Sequence, residues 1–247
     1  MIELYHNWDS FCSFKVRLDL EEKGLAWTDR HIELMSFGNL RPEYLKINPQ
    51  GLVPTLVDDG EPIFESSFIN EYLEDKYPAT PLRPEDPKET ARMRYWVKHG
   101  EDELFLAVRP ASLNLMMKQV YNAYTDQELD EFLAHHPKPH LIGRLKKMFQ
   151  APLDEDAVGK SRAKLSRAFQ NMDDTLGAHS WLAGQSYSLA DIAAAPVVDR
   201  VQRLGMEDLW GELGNLKDWI ERLESRPAYA AARPRGEFRL PAPIPAA

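Results

Sequence analysis

The 247-residue chain has one cysteine, Cys12, so no disulfide can form within it. That is what a reducing compartment leads one to expect, and the chain is read as cytoplasmic. No Cys/His set with metal-ligand spacing is present. His135 and His136 are adjacent, so helical geometry would turn them apart, and no metal is expected. No apolar segment follows Met1 as a secretory signal would require. The longest mostly apolar stretch, Leu189 to Val198, contains Asp191 and Pro196 and is far too short to cross a bilayer, so no membrane partner is expected. There is no long basic run either. With 30 Lys and Arg against 39 Asp and Glu the net charge is −9, which argues against a nucleic-acid surface. The short cluster Arg144-Leu145-Lys146-Lys147 reads as a solvated helix face.

What is there is an ordinary globular composition, 43% hydrophobic and 28% charged. The first eighty residues mix two rhythms. Ile2 and Leu4 alternate with polar neighbours as in a strand, and Phe11 to Lys23 carries helical spacing that Gly24 stops. Thr28 to Leu34 and Val53 to Val57 read as strands. Asp58-Asp59-Gly60-Glu61 is a tight turn, Ile63-Phe64 begins the return strand, and a helix starts at about Ser67. This β-α-β then β-β-α order is the plan of a thioredoxin-like domain. Three prolines between Pro78 and Pro84 mark a linker. After it the spacing is helical: Glu89 to Leu106, Ala111 to Tyr124, Thr125 to Leu133, Ala157 to Leu176, Ser188 to Leu204 and Leu216 to Leu223. The fold class expected is therefore α+β. A thioredoxin-like domain spans 1–80, a linker 81–88, an all-α helical-bundle domain 89–230, and a Pro/Ala-rich tail 231–247 packs as an irregular arm.

Three segments of the first domain could carry chemistry. In Leu52-Val53-Pro54-Thr55-Leu56 a proline opens a strand. A cis Val53-Pro54 bond would turn the Val53 backbone toward an extended peptide, although Pro54 alone also fits a plain loop-to-strand junction. In Phe64-Glu65-Ser66-Ser67 a strand gives way to a helix. Ser66 suits the N-cap, where free N–H groups attract a carboxylate, and Glu65 can accept from an ammonium; a bare cap is the alternative. In Ser10-Phe11-Cys12-Ser13 the first helix begins. Its N-terminus, with a serine hydroxyl, can stabilise a thiolate, or Ser10 can simply cap. Cys12 reads as a buried helix residue; the rival reading is a thiol-disulfide nucleophile.

Together these segments give the resemblance. Phe14-Lys15-Val16-Arg17-Leu18, Ile47 through Leu56, Phe64-Glu65-Ser66 and Glu71-Tyr72-Leu73-Glu74 resemble the N-terminal half of a cytosolic-type glutathione S-transferase. Ser188-Leu189-Ala190-Asp191-Ile192 resembles the family's capping box in the helical domain, and Trp219 to Leu223 before Arg226-Pro227 its last helix. The resemblance implies glutathione as co-substrate, with Ser10 in the position of the catalytic serine and Ser13 a second candidate. It implies that Val53 and Pro54 bind the cysteinyl backbone and Glu65 and Ser66 the γ-glutamyl end. Asn39 and Leu52 fall at the glycyl end, where the family often has a cation or an amide. A homodimer is implied, with Glu101 or Asp102 lent to the partner's pocket. The wall for a small apolar or aromatic electrophile is expected from Trp96, Phe105, Leu113, Met117 and Tyr121; Met116, Val120 and Tyr124 share that helical spacing, which also fits core. Leu82 to Pro87, Met93 to Lys98 and the long segment from Thr125 to Pro139 are similar to the β-aryl etherase group, which cleaves aryl ethers with glutathione. A non-catalytic glutathione- or ligand-binding protein on the same fold is the alternative.

Overall fold

A computed structural model describes residues 1–244. Strand β1 (Ile2–His6) buries Ile2, Leu4 and His6 and leaves Glu3 and Tyr5 half-covered, the period-two pattern of a strand. Helix α1 (Phe11–Glu22) follows, and β2 (Trp27–His31) returns parallel to β1. A 3₁₀ turn at Gly38–Leu40 and the single-turn helix α2 (Pro42–Leu45) fill the connection that has no periodic signal in sequence. Strands β3 (Thr55–Asp58) and β4 (Glu61–Phe64) form a hairpin whose turn residues, Asp59 and Gly60, both have positive φ. That is the hairpin geometry Asp-Gly favours. The sheet order is β2-β1-β3-β4, with β3 antiparallel to β1. Helix α3 (Ser66–Lys76) and α1 close over it around Leu4, Val16, Leu20, Leu56, Ile69 and Leu73.

The helical part opens with one long rod from Pro87 to Tyr121. Helix α4 (Pro87–His99) passes into a wide π-turn at Gly100–Phe105, then α5 (Leu106–Ser112), a second π-turn at Leu113–Met117, and α6 (Lys118–Tyr121). The sequence spacing predicts two helices broken near Pro110. Instead Pro110 lies inside α5, between the two wide turns that re-register the rod. Helices α7 (Asp126–Leu133), α8 (Ile142–Gln150), α9 (Glu155–Leu176), α10 (Leu189–Arg203), α11 (Gly214–Glu224) and α12 (Pro227–Ala232) complete the domain.

Close packing fixes the rod against α10: a Cβ on Gly100 would stand 3.0 Å from the Ala193 carbonyl oxygen. Asp191 anchors α10. Its buried carboxylate accepts from the backbone N–H groups of Leu182 and Ser188 and from Trp219 Nε1. Burial nevertheless pushes its pKa up to about 6. Phe14 and Leu18 of α1 belong to the same core as Met93, Phe169 and Trp219, so one apolar interior runs between the sheet side and the helices. No described helix is long and apolar enough to cross a membrane.

Candidate active site

A cavity of about 690 Å³ opens between the sheet's loops and the helical rod. Three chain reversals line its sheet side. The first carries Ser10, the N-cap of α1. Its Oγ accepts from the Ser13 N–H at 3.3 Å, which leaves the hydroxyl proton free to donate into the cavity. The loop is held from beneath by Arg17, whose fully buried guanidinium donates to the carbonyls of Asn7, Trp8 and Ala232. Asp9, one residue before Ser10, is gripped by Arg200 and Arg203 at 2.5 and 2.6 Å.

The second reversal holds Val53-Pro54, a cis peptide. No hydrogen bond engages the Val53 backbone among the described residues. The preceding Leu52 carbonyl accepts from Tyr44 Oη and from Asn48 Nδ2, and Asn48 also reaches Thr55 Oγ1 at 3.0 Å. Gly51, at φ +64°, lets the turn close against Leu40.

The third reversal is Glu65-Ser66. Glu65 caps α3 with φ +63°, a conformation that costs an L side chain energy, and Ser66 is the first helical residue. Both line the cavity. A free carboxylate and helix N–H groups thus stand side by side, suited to an ammonium and a carboxylate on one carbon.

The opposite wall is apolar. Phe105, Val108, Leu113, Met117 and Tyr121 project from the rod, joined by Met148 and Phe149 of α8 and by Phe37. Tyr121 and Phe149 have ring centroids 4.2 Å apart, and Phe105 packs at 5.4 Å from Phe11.

The glutathione S-transferase N-terminal domain model matches residues 4–81 and the C-terminal domain model residues 118–227. Protein LigF of Sphingobium sp. strain SYK-6 is 31% identical over 242 residues, covering 92% of this chain and 91% of LigF. The chain belongs to the glutathione S-transferase family. The crystal structure of β-etherase LigF from that strain superposes with a TM-score of 0.85 at 28% identity, over 94% of this chain and 98% of the other. The tetrachloro-p-hydroquinone reductive dehalogenase of Sphingobium chlorophenolicum is 25% identical, covering 94% and 95% of the two chains.

In this glutathione S-transferase the residues expected at the site from sequence divide into two groups. Ser10, Asn39, Leu52, Val53, Pro54, Glu65, Ser66, Phe105, Leu113, Met117 and Tyr121 line the cavity. Ser13 and Trp96 do not, and Asp102, expected to reach a partner's pocket, does not line this chain's own. Ser13 is fully buried, with its hydroxyl against the Asn7 N–H, because it sits one turn into α1 on the face packed inward. Trp96 lies in the helical core beside Met93, several residues before the rod reaches the cavity. Asp102 projects outward and pairs with Lys98 one turn earlier at 2.5 Å. The cap of α3 is shifted as well: it falls on Glu65, and Ser66 supplies a first-turn N–H. Asn39 donates its Nδ2 to the Gly51 carbonyl at 2.7 Å and so braces the Val53 loop. Cys12, read as a buried helix residue, lines the cavity beside Ser66; burial pushes its thiol pKa up, which opposes a standing thiolate there.

Two parts of the wall escape sequence reasoning. The basic cluster at Arg144 reads as a solvated face, yet Leu145 on the same turn lines the cavity while Lys146 pairs outward with Asp130 at 2.7 Å. The second part is the tail. Arg233 pairs with Asp199, Arg235 lies over Trp8, and Phe238 stacks on His31 at 4.2 Å. The Leu240 N–H donates to Asp9, and the Ile244 N–H to the Leu115 carbonyl. Phe238 to Pro241 thereby form a strap across the cavity. Of the expected tail 231–247, residues 245–247 lie outside the described residues.

Proposed function

We propose that this protein transfers glutathione to an apolar aromatic electrophile, and that its reactions include cleavage of β-aryl ethers. One observation carries the reading. A single cavity joins a thiolate-stabilising helix start, a free peptide edge and a carboxylate-plus-N–H pair to an aromatic wall. The likeness to LigF supports the ether-cleaving part.

In this reading the Val53 backbone pairs with the cysteinyl unit of glutathione. Glu65 and Ser66 hold the γ-glutamyl end, and Asn39 and Leu52 flank the glycyl end. The Ser10 hydroxyl donates to the sulfur, aided by the N-terminal N–H groups of α1. Lowering a thiol pKa from about 8.5 by about two units takes roughly 2.7 kcal/mol of differential stabilisation. One charge-assisted hydrogen bond and a helix terminus supply energies of that order. The thiolate attacks the carbon bearing the aryloxy group. The carbon–sulfur bond forms as the carbon–oxygen bond breaks. The electron pair leaves on the phenolate, which takes a proton from water. Phe105, Leu113, Met117 and Tyr121 orient the ring.

The chain is also proposed to work as a homodimer in the cytoplasm. Phe68 on α3 and Tyr95 on α4 are exposed aromatics, 68% and 62% accessible, as an uncovered interface would show. Sedimentation at micromolar concentration tests this, and a monomeric mass contradicts it.

The decisive assay incubates the protein with glutathione and a β-phenoxy ketone. Equal amounts of phenol and glutathione thioether are expected. Retention on immobilised glutathione, without either product from the ether or from a chloronitrobenzene, would instead favour a binding protein.

A further inference from the structure

Three polar side chains of the rod interrupt the apolar wall, Arg109, Ser112 and Tyr121, and the Ser112 hydroxyl is already spent on the Val108 carbonyl. Arg109 lies on the cavity face of α5, one turn from both Phe105 and Leu113. Its guanidinium makes no hydrogen bond, and no carboxylate lies within 4 Å of it among the described residues. The neighbouring arginines are engaged. Arg200 and Arg203 hold Asp9, Arg233 holds Asp199, and Arg239 donates to the Pro234 carbonyl. Two other cavity carboxylates stand apart from Arg109: Glu33 accepts from the Met35 N–H and lies 3.6 Å from His31, and Glu237 is carried on the strap.

Tyr121 provides the second, independent group. Its ring is buried in the wall, but its hydroxyl makes no hydrogen bond among the described residues. The ring is buried while the unpartnered oxygen stays open to the cavity, so it can donate to a ligand there. Arg109 and Tyr121 line the same cavity from one face of the rod; burial raises the Tyr121 pKa, the Arg109 charge works against that rise and the Glu33 charge adds to it. A phenol held protonated is a steady donor, and a guanidinium facing the same cavity matches a carboxylate.

We propose that Arg109 and the Tyr121 hydroxyl form a subsite for an anionic oxygen, so that the electrophile this cavity takes is an aromatic compound bearing a carboxylate. The inference rests on the glutathione-transfer reading and narrows its substrate class. An uncharged aromatic fills the same wall but leaves both polar groups unpaired.

The test compares 4-chloro-3,5-dinitrobenzoate with 1-chloro-2,4-dinitrobenzene at fixed ionic strength, each corrected for its uncatalysed rate with glutathione. The ratio of kcat/KM values, charged over neutral, is expected to fall about tenfold in Arg109→Gln, mainly through KM, and further in Arg109→Glu. Tyr121→Phe keeps the ring and should lower the ratio about threefold. A ratio unchanged within twofold in both Arg109 variants overturns the proposal. Calorimetry gives a readout without turnover. Wild-type protein should bind S-(4-carboxybenzyl)glutathione more tightly than S-benzylglutathione, and Arg109→Gln should abolish the difference. Equal wild-type affinities refute the subsite alone. Failure of both conjugates to bind refutes the glutathione reading, and the subsite with it.

Discussion

On the sheet side of the cavity, the lining residues sit at three backbone reversals, the Ser10 cap, the Val53 loop and the Glu65-Ser66 corner, where main-chain groups stand with the Ser10 hydroxyl and the Glu65 carboxylate. On the helical side the lining groups are side chains, contributed by the rod, by α8 and by the strap. The difference matters for what each side can recognise. Backbone groups placed by turns and caps can grip one constant peptide-like ligand with little dependence on neighbouring side chains. An apolar wall of replaceable side chains can suit many electrophiles. The two sides meet at Asp9, which joins the Ser10 loop to Arg200 and Arg203 of α10 and to the strap at Leu240.

Breaking that junction should have the largest effect. Asp9→Ala strips the carboxylate from two well-buried guanidiniums and frees the strap's N–H. Removing one partner of such a buried pair typically costs about 3–5 kcal/mol. Urea unfolding should show a loss of that size, with faster proteolytic cutting near Phe238. A loss below about 1 kcal/mol would mean that the two sides are held together elsewhere.

Next comes the chemistry on the sheet side. Ser10→Ala should lower kcat/KM by about 10²–10³, as loss of one donor to a developing or standing anion does. The loss should appear with every electrophile, because the thiolate is common to all. Spectral titration should show the bound thiol pKa returning toward that of free glutathione. Ser13→Ala, which empties a buried hydroxyl site away from the cavity, should reduce stability by about 1 kcal/mol and turnover only a few-fold. The reverse ranking would put the functional hydroxyl at Ser13.

The helical side should respond selectively. Phe105→Ala or Leu113→Ala removes apolar contact area, and losses of this kind are worth about 1–3 kcal/mol to a bound group. KM for an aromatic electrophile should rise about tenfold or more while KM for glutathione stays within about twofold. Parallel rises in both constants would mean that the two sides do not act separately.

The same division governs how much could be read from the sequence. The sheet side is written in local signals: a proline opening a strand, a serine before a helix, Asp-Gly between two short strands. Each constrains the backbone within a few residues, so Ser10, Val53 and Glu65 fall in the cavity where the sequence segments point. The helical side depends on which face of a rod turns inward, and two π-turns change that register midway. Helical spacing therefore groups Trp96 with Phe105, although one enters the core and the other the cavity. It also splits at Pro110 a rod that runs through it. The strap was the least legible part. Its composition says only that it is irregular, and its docking relies on partners more than a hundred residues away, such as Asp9 and Leu115. Arg109 carries no motif; only the structure reveals it as an unpaired cation facing a void.

The smallest expected effect sharpens the comparison most finely, because it adds a contact to the sheet side without moving its frame. Leu52 is 55% exposed at the mouth. What fixes its place is its carbonyl, held by Tyr44 and Asn48, so the side chain can change while the peptide edge stays. Leu52→Lys would set a flexible ammonium where the glycyl carboxylate of glutathione is proposed to lie. An exposed ion pair of this kind contributes little, so KM for glutathione should fall by about two- to fivefold. The gain should fade as salt is raised to about 1 M, where charges are screened within about 3 Å. KM for the electrophile should not change. No gain at low salt would mean that the glycyl end lies elsewhere, with Arg239 on the strap the next cation at the cavity to substitute. A gain that also altered electrophile affinity would show that the mouth is shared, and that the backbone-built side and the side-chain-built side are less separate than their construction implies.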